Sequence, residues 1–412
     1  MSNAVIINID KLINVREEYP LLQGGALAQL PVRQNAFLRI RDGRIVATGS
    51  MPQWEAADNE TVIDAKGGSV LPGWCDSHTH IVFAATREDE FVDKIKGLSY
   101  AEIAAKGGGI LNSARRLRTT SEDDLLEMAW QRLHKLVHQG TTAIEIKSGY
   151  GLTLNDELKM LRVIQRLKQK APIPVKATFL GAHAIPEEYK NNTEGYINLV
   201  IDEMLPAIEK EKLADYVDVF CENGFFSAEQ TWRIGQAGLK HGLLPKIHAN
   251  QLSLSGGVQT GVKLGAVSVD HLETMDEEAI QVLANSNTIG TLLPTAAFFL
   301  RMAFQPARQL INAGCAIALA SDYNPGSSPS GNMNLVVAMS CIQMKMLPEE
   351  AINAATINGA YAMQVQQEVG SITTGKLANL IITKPIPSIA YLPYSFGDNL
   401  VEKVIVRGSV WE

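Results

Sequence analysis

Two histidines lie two residues apart at the end of a short apolar run, LPGWCDSHTH at positions 71–80. In a β-strand, residues i and i+2 point to the same face, so His78 and His80 would project side by side, as two ligands of one metal ion must. On a helix, the same spacing would point them to nearly opposite sides. The pair alone fits two unrelated histidines equally well, so its meaning depends on the rest of the chain.

Seven other apolar, strand-like segments follow along the chain, and several of them are followed by His, Asp or other polar residues. After the first, these segments end at or near Ile146, Ala182, Phe220, His248, Asp270, Leu293 and Ser321. Helix-like amphipathic segments alternate with them, for example over 122–139 and 157–170. Eight such strand–helix units predict an α/β protein with a (β/α)8 barrel of TIM type. A doubly wound open sheet is the alternative that this pattern leaves open.

The histidines concentrate at the ends of these strands. The chain has eight histidines, and five of them follow a predicted strand: His78, His80, His183, His248 and His271. Asp322 follows the eighth strand in the same way. Barrel enzymes carry their chemistry at the C-terminal ends of the strands. One histidine there would more often be an ordinary core or rim residue, but five at one rim favour a shared catalytic or metal-binding site.

The two ends of the chain differ from the middle. Residues 36–49 form two alternating apolar runs joined by Asp42-Gly43, a strong hairpin signal, and residues 380–383 and 401–408 are again strand-like. A chain of 412 residues is long enough for a barrel and a smaller domain. We therefore predict one small composite β-domain from residues 1–67 and 366–412, around a catalytic barrel of residues 68–365.

Composition limits the classes of partner. A net charge of −7 and a pI of about 5.7 argue against a nucleic-acid-binding surface. The sequence contains neither an apolar run long enough for a membrane span nor the pattern of an N-terminal signal peptide. The four cysteines (Cys75, Cys221, Cys315 and Cys341) are far apart and are interpreted as reduced thiols. We expect a cytoplasmic protein that binds a small molecule and neither nucleic acid nor membrane.

Several segments resemble a known enzyme family. The opening, with Asp64, Pro72-Gly73 and residues 76–80, is similar to the first-strand signature of the amidohydrolase superfamily. More narrowly, the chain resembles the imidazolonepropionase family within it, through EIKSGYGL at 145–152, FLGAHA at 179–184, TLLP at 291–294 and SDYNPGS at 321–327. The resemblance extends over essentially the whole chain and implies the same barrel with a composite small domain.

The resemblance implies one metal ion, zinc or iron, in each chain. The ligands that it implies are His78, His80, His248 and Asp322. Such a set leaves one position for water, whose pKa the metal would lower toward neutrality. Many members of the superfamily bind a second ion through a lysine on the fourth strand, but residues 218–223 contain none. Lys147 lies on the second strand, and we expect it in a structural polar network.

The resemblance also implies a reaction, the hydrolysis of 4-imidazolone-5-propanoate to N-formimidoyl-L-glutamate. Activated water would attack the ring carbonyl, Asp322 would carry the proton to the leaving nitrogen, and His271 would stabilise the oxyanion. Arg87 would bind the propionate through its guanidinium. The other substrate-binding residues implied are Tyr150, His183, Gln251, Asn324, Gly326 and Ser327. The family further implies a homodimer.

Two other functions remain open at the level of sequence. The chain could be another mononuclear amidohydrolase, either a deaminase or a different cyclic amidase. Deaminases of the superfamily place a glutamate three residues after the fifth-strand histidine as a proton shuttle, and this chain has Gln251 there, an amide that cannot exchange protons at neutral pH. A non-catalytic barrel scaffold is the other alternative, but all four expected ligands are present.

Overall fold

Sixteen strands form two sheets in the computed structural model, which describes residues 3–98, 102 and 108–412. The strands are β1 (Ala4–Ile13), β2 (Val32–Arg41), β3 (Arg44–Ser50), β4 (Thr61–Asp64), β5 (Val70–Pro72), β6 (Trp74–Thr79), β7 (Thr141–Lys147), β8 (Val175–Ala182), β9 (Tyr216–Cys221), β10 (Leu244–Ala249), β11 (Ser268–His271), β12 (Ile289–Leu292), β13 (Ile317–Leu319), β14 (Leu380–Thr383), β15 (Val401–Val406) and β16 (Ser409–Val410). Strands β6 to β13 make the central sheet, and the other eight make the second sheet.

The central sheet is a parallel barrel. Its strands follow chain order from β6 to β13, and each neighbouring pair is parallel. Just after β13 the chain returns to β6, where the Asp322 amide donates to the His78 carbonyl at 3.0 Å and the His80 amide donates to the Tyr323 carbonyl at 2.8 Å. The predicted (β/α)8 barrel is therefore confirmed. The doubly wound alternative is wrong, because its strand order would reverse part-way.

Helices connect the strands and surround the barrel. In the described part of the chain they are Glu88–Ile95, Ile110–Thr119, Glu122–His138, Leu154–Lys170, Thr193–Asn198, Leu205–Glu211, Ala228–Lys240, Gly257–Leu264, Glu277–Ala284, Pro294–Leu300, Ala307–Asn312, Met333–Ile342, Pro348–Ala355, Ile357–Ala362 and Tyr391–Tyr394. Short 3₁₀ turns cover Gly24–Ala28, Met51–Gln53 and Glu187–Tyr189, and a π-helical segment covers Leu199–Met204.

Both helices predicted from the sequence are present, with shifted ends. The helix predicted at 157–170 begins three residues earlier, at Leu154, because the Thr153 hydroxyl accepts a hydrogen bond from the Asp156 amide. The helix predicted at 122–139 ends one residue earlier. A hydroxyl cap at this position satisfies one of the free amides of the first helical turn, and so sets where the helix starts.

The second sheet is assembled from both ends of the chain. Its order is β16-β15-β14-β5-β1-β2-β3, with β4 paired to β1. The predicted hairpin at Asp42-Gly43 is confirmed: both residues have positive φ, 52° and 75°, as its tight turn requires. The exact domain limits stay a prediction. Strand β5 pairs within this sheet although it follows the predicted limit at residue 67.

The structure also bears on the expectations about membranes and cysteines. In the part of the chain that the structure describes, none of the helices has both the length and the apolarity needed to cross a membrane. Cys75, Cys221, Cys315 and Cys341 are all free thiols, as the sequence predicts. Burial raises the pKa of the Cys75 thiol to about 12, so this cysteine is an inert core residue.

A helix packs very closely behind the first barrel strand. Gly359, in helix Ile357–Ala362, lies against β6 so tightly that an added Cβ would stand 2.5 Å from the backbone oxygen of Cys75. Strand β6 also carries His78. The absence of a side chain at position 359 therefore helps to fix the strand on which the site is built.

We expect Gly359→Ala to lower the free energy of unfolding by about 1–3 kcal/mol, because the extra methyl group overpacks a rigid backbone contact. In an ordinary helix interior the same change would stabilise the protein. Thermal or urea denaturation measures the difference. Gly25→Ala is the control, since an added Cβ there meets nothing within 4 Å. Equal stability of the two variants would show that the backbone at Gly359 can relax.

Candidate active site

The predicted site residues meet around one cavity at the C-terminal end of the barrel strands. The cavity has a volume of about 690 Å³. It is lined by His80, Arg87, Tyr150, His183, His248, Gln251, His271, Asp322, Asn324, Gly326 and Ser327. His78 is the remaining predicted residue, and it is fully buried beside them. The barrel thus gathers at one place side chains that lie up to about 250 positions apart in sequence.

Three ligand atoms form a compact triangle at the floor of the cavity. The Nε2 atoms of His78 and His80 are 3.3 Å apart, and each lies 3.5 Å from Oδ1 of Asp322. Ligands bonded at about 2.0–2.1 Å to one tetrahedral zinc ion are separated by roughly 3.4 Å. The spacing of these donors therefore fits a single transition-metal ion.

His248 and His271 flank this triangle. Together with His78, they form a second group whose potential ligand atoms all lie within 4.8 Å of one another. The ring of His248 is 4.5 Å from that of His78 and 5.2 Å from that of His271, between centroids. The predicted ligand His248 and the predicted oxyanion-binding His271 are thus both next to the position that a metal ion would take.

Two buried aspartates orient the imidazoles. Nδ1 of His78 lies 2.7 Å from the carboxylate of Asp270, and Nδ1 of His248 lies 2.9 Å from that of Asp218. The hydrogen bond to Asp270 holds the proton on Nδ1 of His78, so the Nε2 lone pair of His78 stays free for a metal ion. Burial lowers the pKa of His78 well below its usual value, which keeps the ring neutral as a ligand must be.

A buried ion network supports the two aspartates. Nζ of Lys147 lies 2.8 Å from Asp218, 3.6 Å from Asp270 and 2.7 Å from Glu145. Burial alone would lower the pKa of Lys147, but these carboxylates raise it above its usual value. Lys246 also contacts Glu145 and donates to the Ser77 carbonyl at 3.3 Å. The expected structural role of Lys147 in a polar network agrees with these contacts.

Asp322 and His271 both have a positive φ angle and a side-chain pKa that differs from its usual value. Both have positive φ, 52° and 86°, a conformation that costs energy for residues other than glycine. Burial raises the pKa of Asp322 to about 6. Burial would lower the pKa of His271, but the carboxylate of Glu273, 3.3 Å from Nδ1, outweighs it and raises the pKa. Burial therefore disfavours the charge of Asp322 when no cation is bound, and His271 can donate one hydrogen bond.

A buried carboxylate shapes the loop that carries Tyr150. Glu157 accepts hydrogen bonds from the amides of Gly149, Gly151 and Leu152 at 3.2, 2.7 and 2.9 Å. Gly149 has a φ of 106°, and an added Cβ would stand 2.9 Å from a backbone oxygen, so the glycine is needed for this turn. The loop places Tyr150 against the cavity.

His183 is fixed by the same loop. Its Nδ1 lies 3.0 Å from the carbonyl oxygen of Gly149, and its ring stacks on that of His80 with centroids 5.6 Å apart. Burial lowers the pKa of His183 to about 3, so the imidazole is neutral. Its Nδ1 donates to the loop, which leaves Nε2 as the other polar atom of the ring.

The turn after β13 is stabilised by hydrogen bonds from its own polar side chains. Nδ2 of Asn324 donates to the Asp322 carbonyl at 2.7 Å and to Ser327 Oγ at 2.8 Å, while its Oδ1 accepts from the amides of Gly326 and Ser327 at 2.8 Å each. Asn324 therefore shapes the turn as well as lining the cavity. Oγ of Ser327 reaches the Asp322 carboxylate at 3.4 Å.

Arg87 is held between a helix and this turn. Its guanidinium donates from Nε to the Glu90 carboxylate at 2.9 Å and makes a second contact with the same oxygen at 2.5 Å. An added Cβ on Gly326 would stand 2.2 Å from Nη1 of Arg87. Gly326 thus leaves the space that the guanidinium fills, which gives the glycine a physical reason beyond an ordinary Pro-Gly-Ser turn.

Gln251 lies on the opposite wall, on a loop that another buried carboxylate holds. Glu222 accepts from the amides of Leu252 and Ser253 at 2.8 and 3.3 Å. Gln251 itself is buried and lines the cavity near His248. An amide, which can donate and accept hydrogen bonds but does not titrate, thus stands where the deaminases have their proton shuttle.

Comparison with known proteins identifies the family. A family model described as "Amidohydrolase family" matches residues 227–410. A protein named imidazolonepropionase from Flavobacterium johnsoniae is 56% identical over 98% of this chain and 99% of its own. Another of that name, from Thermoanaerobacter pseudethanolicus, is 40% identical over 98% of this chain and 96% of its own. This chain belongs to the imidazolonepropionase family. It is therefore a hydrolase of the amidohydrolase group, and the resemblance seen in the sequence is confirmed.

Solved structures outside the imidazolonepropionase family share the fold. E. coli guanine deaminase aligns with a TM-score of 0.75 at 14% identity, covering 100% of this chain and 99% of its own. An adenosine deaminase from Xanthomonas campestris with bound zinc aligns with a TM-score of 0.71 at 15% identity, covering 99% and 92%. At this identity the likeness concerns the barrel and the second sheet rather than the substrate.

Sequence reasoning missed the residues that orient this imidazolonepropionase site. Asp218, Asp270, Glu157 and Glu90 were given no role from the sequence, yet each holds a predicted site residue or its loop. One signal was available for the first two. Asp218 and Asp270 are charged residues within barrel strands predicted to be buried, and buried charges are rare unless they are paired.

We expect Asp270→Asn to weaken metal binding by about 10- to 100-fold, because the carboxylate that sets the His78 tautomer is lost. Competition with a chelator measures the affinity, and a melting curve shows whether the variant is folded. Asp58→Asn, at an exposed position of the second sheet's loops, is the matched control. An unchanged affinity in a folded Asp270 variant would mean that His78 does not depend on this carboxylate.

Proposed function

We propose that this protein hydrolyses 4-imidazolone-5-propanoate to N-formimidoyl-L-glutamate in histidine degradation. One observation carries the proposal: a single cavity has a His/Asp metal-binding triangle at its floor and Arg87 at its side, with Tyr150 between them. Arg87, Tyr150 and Asp322 all line this cavity, and burial raises the pKa of the Tyr150 hydroxyl, which keeps it a neutral hydrogen-bond donor. This arrangement suits a substrate with a hydrolysable ring at one end and a carboxylate at the other.

One metal ion, zinc or iron, is proposed for each chain. His78, His80, His248 and Asp322 would hold it, a donor set of three imidazoles and one carboxylate that such ions accept. When bound, the ion supplies Lewis acidity, which makes water a nucleophile at neutral pH. The absence of a lysine from β9 argues against a second ion bridged by a carboxylated lysine.

Asp322 and His271 are proposed to move the proton and stabilise the charge. Asp322 takes a proton from the attacking water, whose oxygen bonds to the ring carbonyl carbon, and returns it to the ring nitrogen as the carbon–nitrogen bond breaks. His271, held by Glu273, donates a hydrogen bond from Nε2 to the developing oxyanion. The Asp322 carboxylate lies 3.5 Å from the Nε2 atoms of both His78 and His80, so it is placed beside the water that would be activated there.

The remaining residues are proposed to bind the substrate. Arg87 pairs with the propionate, and Tyr150, His183 and Gln251 offer hydrogen bonds around the imidazolone ring. Asn324, Gly326 and Ser327 shape the wall of the cavity beside Arg87. A neutral His183 supplies a directional contact without adding charge next to the metal ligands.

A deaminase or a different cyclic amidase is the second candidate. Deaminases share the fold, but Gln251 cannot act as their proton shuttle, and Arg87 favours an acidic substrate. The proposal is tested by incubating purified, metal-analysed protein with freshly prepared imidazolone propanoate and following the loss of the ring's ultraviolet absorbance. We expect turnover with one ion per chain. Two ions per chain, or active protein without metal, would contradict the proposed site, and no turnover by the metal-loaded protein would contradict the function.

A homodimer in the cytoplasm is also proposed. Exposed apolar side chains at Ile342, Leu347, Tyr394 and Phe396 offer a surface for a second copy. Sedimentation measures the association state. A monomer at micromolar concentration would contradict the dimer.

We expect Arg87→Ala to lower kcat/KM by roughly 10- to 100-fold, the effect of losing about 1.5–3 kcal/mol from a charge-assisted contact. Metal content should be unchanged, and Arg41→Ala, at an exposed position in β2, is the control. Gly326→Ala should act in the same direction because it displaces the guanidinium. An unchanged kcat/KM in Arg87→Ala would show that another cation holds the propionate.

Asp322→Asn should abolish turnover even where metal is retained, since an amide cannot carry the proton. His271→Ala should be severely but less completely impaired, because the metal still polarises the carbonyl. Single-turnover rates with metal content determined in parallel give the order. A dead His271 variant beside an active, fully loaded Asp322 variant would assign the proton transfer to His271 instead.

A further inference from the structure

The first helix after β6 places three charged residues on one side, toward the cavity. Arg87 precedes helix Glu88–Ile95, and Glu90 and Lys94 follow it at helical spacing. Arg87 and Glu90 form an ion pair in which each side chain is 10% exposed. Arg87 and Lys94 each carry one positive charge and Glu90 carries one negative charge, so the three residues together have a net charge of +1.

Lys94 belongs to the same wall as Arg87. Its Nζ donates to the carbonyl oxygen of Gly326 at 3.2 Å, while the other side of Gly326 faces the Arg87 guanidinium. Arg87, Lys94 and Gly326 all line the cavity. Both cations thus lie next to Gly326, Arg87 at the position of a missing Cβ and Lys94 at the carbonyl oxygen. Each can donate a hydrogen bond to a ligand that lies against this glycine.

The surroundings of Lys94 strengthen its attraction for an anion. Its Nζ lies 5.7 Å from the centroid of the Phe299 ring, which stacks on Phe91 at 5.3 Å. Both rings line the cavity. Apolar walls exclude water and reduce the screening of a charge. Burial and the nearby Arg87 lower the pKa of Lys94, and Glu90 opposes them, so an anion bound beside both cations would relieve the repulsion between them.

We infer that Lys94 is a second cation for the carboxylate of the substrate, which the proposed function takes to be a propionate. Arg87 and Lys94 bind it from the two sides of Gly326, and Glu90 is a positioning residue that orients the guanidinium. Since Arg87 already shares its charge with Glu90, the second cation supplies the net positive charge that a carboxylate requires.

A purely structural role for Lys94 makes a different prediction. If its ammonium group only pinned the turn through the Gly326 carbonyl, its removal would weaken charged and neutral ligands alike. If it binds the carboxylate, its removal weakens only the charged ligand. The ratio of the two affinities therefore separates the roles.

The experiment measures the binding of imidazole-4-propanoate and of its neutral amide to the metal-loaded protein by calorimetry. The unmodified protein should prefer the acid, and Lys94→Met should reduce that preference about tenfold, the factor expected from one charge-assisted contact at a partly exposed position. Lys94→Arg should retain the preference. Lys96→Met, two residues along and exposed, is the matched control and should behave as the unmodified protein.

Two results overturn the inference: an unchanged preference in Lys94→Met, or an equal loss of affinity for acid and amide. Turnover of the imidazolone by the same preparation is followed separately. A protein that shows the Lys94-dependent preference but no turnover would overturn the proposed reaction and support the carboxylate site. Turnover with a preference independent of Lys94 would overturn the site and leave the reaction supported.

Discussion

The contact between Lys147 and its carboxylates is the interaction on which the site depends. One ammonium group lies between Asp218 and Asp270, and each of these aspartates faces Nδ1 of a different histidine. Burying such charges costs several kcal/mol for each ion unless the pairing is close to ideal. Because the pairing is close, the aspartates can stay ionised in the barrel interior, and Asp270 keeps the Nε2 lone pair of His78 free at the cavity floor.

This network requires the closed barrel. Its members come from β7, β9, β10 and β11, and the histidine that Asp270 orients comes from β6. Only a sheet that returns to its first strand brings Asp322, after β13, beside His78 and His80. Three carboxylates face two ammonium groups within the network, so one negative charge remains to attract a cation toward the imidazoles.

Sequence patterns predicted the barrel and the polar residues at the ends of its strands. They did not predict the buried carboxylates that hold those residues in place. Eight apolar segments with polar ends were enough for the fold, because alternating strands and helices have few stable arrangements. The nearness of His78, His80 and Asp322 was predictable because all three lie at the ends of barrel strands, and their proposed role as ligands came from the family resemblance. The roles of Glu157 and Glu90 were not predictable, because each depends on the conformation of a loop, and loops have no periodic sequence pattern. The start of helix Leu154–Lys170 was missed for a similar local reason, the Thr153 cap.

The two ends of the cavity differ in how they are built, and this difference explains what the family shares with its structural neighbours. The end proposed to bind the metal consists of residues in or just after barrel strands, fixed by backbone pairing and buried ions, and the same barrel occurs in deaminases at 14–18% identity. The end that we propose binds the carboxylate is made by the loop before helix Glu88–Ile95 and the turn at Gly326, held by Glu90 and Asn324. Loops can change without cost to the barrel. Under the proposed function, the choice of an acidic substrate is therefore set by contacts that leave the floor of the cavity intact.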